Sequence, residues 1–357
     1  MKHIVSVVGA RPQFIKAAAI SRQLRMYFKE TLVHTGQHYD FDLSDIFFKE
    51  LKLFTPDRNL NIGSMTHSKQ TGEMLIKIEE VLLEEKPDVV LVYGDTNSTL
   101  AGALAASKLH IPLAHVEAGL RSFNKLMPEE INRIVADSVS DLLFVPTAAA
   151  ITNLKKEGIT KGVHMVGDIM FDLLLENILK AEMASDILIK LSLKKSDYYL
   201  ATIHRAENTV QKNLLKAFFV FSKLDLQVVL PIHPRTKKML TKEINLLIES
   251  SPNIKITKPV GYFDMLMLEK NAKAILTDSG GVQKEAYMLG TPCLTLRNET
   301  EWVETLNNNW NQVVGLSYKK ISAALERHPI KQQHGDVFGD GHAAEKIIKI
   351  LDEFCKK

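Results

Sequence analysis

Short apolar runs alternate with longer amphipathic stretches along almost the whole chain. Runs such as Val89–Tyr93 are apolar at every position, as strands of a parallel sheet covered by helices on both faces require. Strands are predicted at 3–9, 30–36, 89–95, 112–118, 141–147 and 162–167, and then at 198–203, 227–232, 254–257, 274–278 and 292–296. This alternation is typical of βαβ units, so the sequence predicts an α/β protein with two Rossmann-like domains.

Composition and charge narrow the functional class. The 357 residues carry 45 Lys and Arg against 42 Asp and Glu, a formal charge of +3 that does not indicate a nucleic-acid or membrane partner. No apolar run approaches the roughly 20 residues of a membrane span, and Arg11 interrupts the first run before a secretory signal forms. Cys293 and Cys355 lie far apart, which argues against a disulfide framework or structural zinc. We therefore expect a soluble cytoplasmic protein.

The sequence contains neither of the common nucleotide-phosphate motifs. Both GxGxxG and GxxxxGK[ST] are absent, so a dinucleotide fingerprint and a Walker loop are excluded. In open α/β sheets, ligands bind beyond the carboxyl ends of the strands. Two such domains without a dinucleotide motif predict a ligand held in the cleft between them.

Polar residues of the first half gather at predicted strand ends. Arg11 and Lys16 follow the first strand at a helix start, where free amides and two cations would bind an anion; a solvated helix start is the alternative. Asp95 and Glu117 each end an apolar strand, and Glu129 opens a helix. An acid at a helix start is often only a cap or dipole partner. Acids that face one crevice are nevertheless typical of proton transfer, so we assign these three to the chemistry.

The second half repeats this placement. His204 follows the strand at 198–203, and Ser279, Gly280 and Gly281 follow the strand that ends at Asp278. Two glycines allow backbone to approach a ligand, and the helix that begins there would receive a diphosphate. Glu285 lies about one helical turn further on, within reach of a ribose diol.

Seven motifs in the same order now resemble one family over nearly the whole chain. They are Gly9-Ala10-Arg11-Pro12, Thr35-Gly36-Gln37-His38, Gly94-Asp95-Thr96-Asn97, His115-Val116-Glu117-Ala118-Gly119, Pro128-Glu129-Glu130, His204-Arg205 and Asp278-Ser279-Gly280-Gly281. The chain is similar to the non-hydrolysing UDP-N-acetylglucosamine 2-epimerases, which have the glycosyltransferase-B fold. This resemblance helps to assign the predicted helix at 342–357 to the first domain. The domains then comprise 1–168 with 342–357, and 169–341.

The resemblance implies inversion at C2 of a UDP-linked N-acetyl amino sugar, without cofactor or metal. UDP is eliminated to give a 2-acetamidoglucal and is then added back. The implied catalytic residues are Asp95, Glu117, Glu129 and His204, and the implied UDP-binding residues are Arg11, Lys16, Val260, Met265, Ser279, Gly280, Gly281 and Glu285. The family also implies a homodimer.

Two departures from the family pattern leave alternatives open. Many bacterial members carry an Arg-Pro pair in the segment where this chain reads Thr300-Glu301-Trp302-Val303-Glu304. This variant is shared with relatives that act on UDP-2,3-diacetamido-glucuronate and with archaeal enzymes that act on UDP-GlcNAc itself. UDP-2,3-diacetamido-glucuronate is the first alternative substrate; a hydrolysing epimerase, a glycosyltransferase of the same fold and a non-enzymatic nucleotide-sugar sensor are the others. The regulated members continue with Arg after Gln37-His38, whereas Tyr39 and Asp40 follow here. We therefore expect no requirement for an activating nucleotide sugar.

Overall fold

The computed structural model describes residues 1–36, 50–51, 54–327 and 335–356. These residues divide into two compact units. The first unit comprises residues 1–175 with 336–357, and the second comprises 176–335.

The first unit is built on a parallel sheet with the strand order β3-β2-β1-β4-β5-β6-β7 among the described residues. Its strands are β1 (His3–Val8), β2 (Lys29–His34), β3 (Arg58–Asn59), β4 (Val89–Tyr93), β5 (Leu113–Val116), β6 (Leu142–Val145) and β7 (Val163–Met165). β4 is buried at every position, as its apolar sequence predicts. The strand order reverses direction between β1 and β4, which makes their carboxyl ends a switch point for ligand binding.

Helices cover both faces of this sheet. They are α1 (Arg11–Tyr27), α2 (His67–Glu85), α3 (Asn97–Lys108), α4 (Pro128–Val139), α5 (Ala148–Lys156), α6 (Ile169–Ala184), which continues into the second unit, and α15 (Ala343–Cys355). One apolar core lies between the sheet and α1 with α15, and the other lies beneath α2 and α3. Asp172 accepts hydrogen bonds from the first amides of α15, those of Ala343 at 3.0 Å and Ala344 at 2.8 Å. This acid therefore caps the C-terminal helix in the first unit.

The second unit has a parallel sheet with the order β10-β9-β8-β11-β12-β13 in the part of the chain described. Its strands are β8 (Tyr198–Thr202), β9 (Gln227–Pro231), β10 (Ile254–Thr257), β11 (Ala274–Thr277), β12 (Cys293–Thr295) and β13 (Asn311–Val313). Its helices are α7 (Ile187–Lys190), α8 (Ala206–Thr209), α9 (Gln211–Ser222), α10 (Pro234–Lys238), α11 (Lys242–Glu249), α12 (Tyr262–Asn271), α13 (Gly280–Leu289) and α14 (Tyr318–Glu326), with a 3₁₀ segment at Val303–Asn309. The switch point here lies between β8 and β11.

Two parallel sheets with flanking helices confirm the predicted α/β fold. The sequence prediction missed two edge strands, β3 and β13. Both are only two or three residues long and polar, so neither produces the apolar run by which buried strands are recognised.

Candidate active site

A buried glutamine holds the switch point of the first unit together. The side chain of Gln13 accepts from the amides of Gly9 at 2.8 Å and Ala10 at 3.1 Å, and its amide group donates to the Tyr93 carbonyl at 2.6 Å. A Cβ atom at Gly9 would lie 1.9 Å from the Ser98 hydroxyl, so only glycine fits there. Gln13 therefore fixes the end of β1 against the end of β4, a role that the sequence did not reveal.

Lys16 and Glu117 form an ion pair at this edge of the sheet. Lys16 projects from the second turn of α1, and Glu117 follows β5; their side chains are 11% and 8% exposed. A Cβ atom at Gly94 would lie 3.2 Å from both charged groups, so the pair rests against glycine backbone. The sequence predicted both residues at the site but did not predict that they pair.

Glu117 also has an unusual backbone conformation. Its φ angle is +70°. Gly119 in the same motif has a φ angle of +82°, and Gly94, against which the Glu117 side chain rests, has a φ angle of +60°. The left-handed region is unfavourable for residues other than glycine, and such residues cluster at functional sites. The fold thus holds this carboxylate at a position where glycine would be less strained.

Asp95 has a buried cationic partner from α4. Arg133 is 3% exposed and donates to the Asp95 carboxylate at 2.5 Å, while the acid remains 35% exposed. The same guanidinium lies 3.2 Å from Glu130. The cation that pairs with Asp95, a predicted catalytic acid, is therefore a buried arginine.

Glu129 and Glu130 have separate environments although they are adjacent. Glu130 is buried and accepts hydrogen bonds from the amide and hydroxyl of Ser122 at 2.9 and 3.0 Å and from the Phe123 amide at 2.9 Å. It holds the loop that precedes α4. Glu129 lies half-buried in the first turn of that helix, which leaves it as the member of the pair suited to chemistry.

A buried network lies beneath the acids. The two ring nitrogens of His115 are 2.7 Å from the Asp137 carboxylate and 2.7 Å from the Gly94 carbonyl. Asp137 also accepts from Arg121 at 2.7 Å and from the Gly119 amide at 3.0 Å. Burial acts to raise the pKa of Asp137, but the hydrogen bonds and charges of His115 and Arg121 hold that pKa below its usual value. The network therefore links Gly94 to Gly119, the two glycines that lie near Glu117.

In the second unit, Asp278 positions His204. The buried Asp278 carboxylate accepts from the amides of His204 and Arg205, each at 3.1 Å, and from the Asn208 side chain at 3.1 Å. The His204 ring nitrogen Nδ1 lies 3.3 Å from the same carboxylate, and its ring centroid is 5.8 Å from that of His233. The loop after β8 is thereby fixed to the end of β11.

The first turn of α13 carries the predicted diphosphate residues. The Ser279 hydroxyl caps this helix by accepting from the Val282 amide at 3.4 Å. A Cβ atom at Gly280 would lie 2.6 Å from Glu301 and 3.0 Å from the Trp302 indole nitrogen. At Gly281 the nearest atom would be the Ser279 hydroxyl, at 3.8 Å. The absence of a side chain at Gly280 therefore allows the loop with Glu301 and Trp302 to pack against the helix, and Gly281 leaves space beside the helix amides.

Buried charges fix the loop that packs against Gly280. The Lys284 ammonium lies 4.1 Å from the centroid of the buried Trp302 ring, a cation–π contact. Arg297 donates to Glu301 at 2.8 Å. Trp302, the departure noted in the sequence, is thus a packing residue held over a lysine.

Glu285 lies further along α13 and is largely buried. Burial, together with the charge of Glu285, raises the pKa of the Tyr262 hydroxyl well above its usual value. Val260 and Met265 are half-buried against the apolar core of this unit. Val282, in the first turn of α13, packs against the same core.

Some predicted features lie outside the described residues, namely Gln37–Asp40 and the side chain of Arg11; the Arg11 backbone begins α1. No cluster of three or more His, Cys, Asp and Glu side chains able to hold a metal ion occurs within the described ranges. No helix in the described part of the chain is long and apolar enough to cross a membrane.

Comparison with known proteins gives the family. The family model for UDP-N-acetylglucosamine 2-epimerase matches residues 21–352. The chain belongs to this family. The resemblance seen in the seven sequence motifs is thus confirmed.

Relatives within the epimerase family match over full length. A UDP-N-acetylglucosamine 2-epimerase homolog from Methanococcus maripaludis is 54% identical over 352 residues, which cover 98% of this chain and 99% of that protein. The UDP-2,3-diacetamido-2,3-dideoxy-D-glucuronate 2-epimerase of Pseudomonas aeruginosa is 46% identical over 360 residues, 98% of this chain and 99% of that protein. The crystal structure of Methanocaldococcus jannaschii UDP-GlcNAc 2-epimerase in complex with UDP-GlcNAc and UDP is 48% identical, with a TM-score of 0.91 over 99% of this chain and 100% of that one.

Proposed function

We propose that this protein is a UDP-N-acetylglucosamine 2-epimerase that interconverts UDP-GlcNAc and UDP-ManNAc. The observation that carries the proposal is the set of acids at the carboxyl ends of β4 and β5, with Asp95 and Glu117 each paired to a cation, in a chain of this family. The substrate is supported by the 48% identical epimerase structure that contains UDP-GlcNAc. Similarity to the diacetamido-glucuronate enzyme keeps that sugar as the alternative to test.

The chemistry follows from the position of the proton. Carbon C2 of the sugar has no adjacent carbonyl, so its C–H bond breaks most readily when the C1–oxygen bond breaks with it. A carboxylate takes the C2 proton, the C1–oxygen electron pair leaves with UDP, and a double bond forms between C1 and C2. In the return step the UDP oxygen attacks C1 and a proton reaches C2 from the opposite face. The reaction is redox-neutral and consumes no co-reactant.

The proposed proton-transfer groups are Asp95, Glu117 and Glu129 of the first unit, with His204 of the second. Lys16 and Arg133 hold the first two acids at fixed positions, which general acid–base catalysis requires. A carboxylate that takes the proton on one face must be matched by a group that supplies one on the other. The presence of several acids in this part of the first unit meets that requirement.

The proposed nucleotide site lies in the second unit. The amides after Ser279, at the start of α13, stabilise negative charge on the departing diphosphate, with Arg11 as a further cation. Glu285 accepts the ribose hydroxyls, and Val260 and Met265 contact the uracil. Gly281 leaves space for the diphosphate because a side chain there would stand beside the amides.

Proton NMR in deuterium oxide tests this proposal directly. Purified protein with UDP-GlcNAc should form the manno epimer with deuterium at C2, without added nicotinamide or metal. UDP-2,3-diacetamido-glucuronate, supplied in parallel, should react much more slowly. Full retention of protium at C2 would refute the elimination mechanism. Faster turnover of the uronate than of UDP-GlcNAc would make the uronate the substrate. Release of free ManNAc would instead identify a hydrolysing epimerase.

Single substitutions test the residue assignments. Asp95→Asn, Glu117→Gln and Glu129→Gln should each lower kcat by about 100-fold or more, the scale of general acid–base catalysis. Glu80→Gln removes an exposed acid of α2 and should leave kcat unchanged. Near-native turnover in any of the first three variants would remove that residue from the catalytic set.

We also propose that the protein is a homodimer. Its proposed location is the cytoplasm, and its proposed role is to supply precursors for cell-surface polysaccharide. These proposals are supported by the family resemblance. Sedimentation equilibrium of the purified protein should give a mass close to twice 40.1 kDa. A concentration-independent mass of one chain would exclude the dimer.

A further inference from the structure

His115, near the carboxyl end of β5, is a fully buried histidine with an acceptor at each ring nitrogen. Nδ1 lies 2.7 Å from the Asp137 carboxylate, and Nε2 lies 2.7 Å from the backbone carbonyl of Gly94. A carbonyl oxygen only accepts, so Nε2 carries a proton. Asp137 also accepts from the Arg121 guanidinium and the Gly119 amide, the pattern of an ionised carboxylate, so Nδ1 carries a proton as well. The hydrogen bonds therefore call for a ring with two protons and a positive charge.

The charges paired in this network balance when the ring is protonated. Arg121 lies 2.7 Å from Asp137 and 2.6 Å from Glu157, and the first two of these side chains are buried. With a neutral ring the connected groups hold two negative charges and one positive charge. With an imidazolium at His115 they hold two of each sign. Buried charges are costly unless they are paired, so the balanced state is favoured.

The backbone bound by this network lies directly beside the acids. Gly94 precedes Asp95 in the chain, and Gly119 follows Glu117 by two residues. The Gly94 amide donates to a backbone carbonyl of β5 at 2.9 Å, and the Gly94 carbonyl accepts from His115, so both of its backbone groups are bound from β5. At Glu117 the left-handed conformation, with φ +70°, is strained and persists only where surrounding contacts hold it. The network supplies such contacts on both sides of that acid.

We propose that the His115 ring is doubly protonated and is a positioning residue for Asp95 and Glu117. Its Nε2–H holds the turn that carries Asp95. Its Nδ1–H holds Asp137, which in turn binds the amide of Gly119. One buried cation thereby fixes the two acids relative to each other, and both of its ring nitrogens are occupied in doing so. This inference rests on the proposed function, because it takes the two acids as proton-transfer groups.

Nitrogen-15 NMR of protein labelled at histidine tests the charge of the ring in the unaltered protein. At pH 7, where an ordinary histidine is mostly neutral, both ring nitrogens of His115 should carry protons. The resonances that disappear in His115→Gln assign this ring among the 12 histidines. One unprotonated ring nitrogen at pH 7 would overturn the proposal. This measurement needs no substrate, so it stands even if the unaltered protein shows no exchange at C2 and the proposed function fails.

Two neutral amides separate the two hydrogen bonds of the ring. An Asn side chain places its nitrogen near the position of Nδ1 and reaches Asp137 only, whereas Gln places it near Nε2 and reaches Gly94. His115→Asn should lower kcat and kcat/KM equally, by about 100-fold, the scale of a misplaced catalytic group. His115→Gln should lose distinctly less. Near-native turnover in the Asn variant, or an equal loss in both, would overturn the positioning role.

His3 provides the matched control, since it is a buried histidine at the start of β1. Its ring nitrogens lie 3.1 Å from the Glu85 carbonyl and 2.9 Å from the Thr31 hydroxyl. His3→Asn should leave kcat unchanged even where it lowers Tm. A loss of kcat in His3→Asn that matches the loss in His115→Asn would attribute both to weakened folding and would overturn the proposal. Melting curves establish that each variant is folded, and if His115→Asn is not, the nitrogen-15 result decides.

Discussion

The left-handed conformation of Glu117 predicts that its replacement by glycine is more favourable for stability than its replacement by alanine. At φ +70° a residue with a Cβ atom is strained, whereas glycine is not. Both substitutions remove the ion pair with Lys16 equally, so the difference between them isolates the backbone. Both should also lose at least about 100-fold in kcat, because the carboxylate is gone.

The magnitude can be worked out from two opposing terms. The left-handed region costs alanine about 1–2 kcal/mol. Glycine avoids this cost but loses about 0.5–1 kcal/mol through the greater entropy of its unfolded chain. Taken at the midpoints of these ranges, the Glu117→Gly variant should be about 0.75 kcal/mol more stable than Glu117→Ala, which corresponds to roughly 1.5–3 °C in Tm for units of this size.

Urea unfolding of both variants, with thermal melting as a second probe, provides the measurement. The same pair of substitutions at Glu80, in the middle of α2, is the matched control. There glycine should be less stable than alanine by about 1 kcal/mol, the opposite sign, because the position is helical. If Glu117→Ala equals or exceeds Glu117→Gly in stability, the strained backbone at this acid is refuted.

Three further outcomes follow from buried groups. Burial raises the folded-state pKa of Glu269, an acid on α12, so its contribution to stability falls as pH rises above about 4. The stability gained by Glu269→Gln should therefore increase between pH 5 and pH 8. Urea titrations should show an increase of up to about 1.4 kcal/mol for each pH unit. The pKa of Asp137 is lowered, so its contribution to stability is fully present above about pH 4 and is lost as the pH falls through the folded-state pKa. Asp137→Asn should therefore cost about 3 kcal/mol at pH 7 by the same assay, and this cost should decrease as the pH is lowered below about 4. Gly280→Ala should lower Tm because its Cβ would lie 2.6 Å from a carboxylate oxygen. Gly281→Ala should not lower Tm, since its Cβ has room and the position is helical, but it should weaken UDP binding in calorimetry.

The fold could be predicted because its strands are defined by burial on both faces. A run such as Val89–Tyr93 leaves few alternatives to a central parallel strand. The edge strands Arg58–Asn59 and Asn311–Val313 could not be predicted, because each pairs with one neighbour only and owes its conformation to that neighbour. Their residues carry no pattern of their own.

The candidate site was predictable in its location and not in its contacts. Residues after strands meet at one edge of a parallel sheet, so Asp95 and Glu117 could be placed from sequence. Their partners could not, because Lys16 is 101 residues from Glu117 and Arg133 is 38 residues from Asp95. Which of several nearby cations pairs with which acid depends on helix orientation, and that follows from packing of the whole unit.

In each unit, one buried side chain fixes the loop at the switch point by binding its backbone groups. Gln13 binds the amides after β1 and the carbonyl that ends β4, and Asp278 binds the amides after β8 from the end of β11. A loop that leaves a sheet edge has amides without strand partners, and a buried acceptor satisfies them while it fixes the loop. The residues proposed for chemistry, Asp95 and His204, remain partly exposed on these fixed loops. Rigid support beneath accessible side chains is the arrangement that positioned catalysis requires, and it arises within each unit from its own residues.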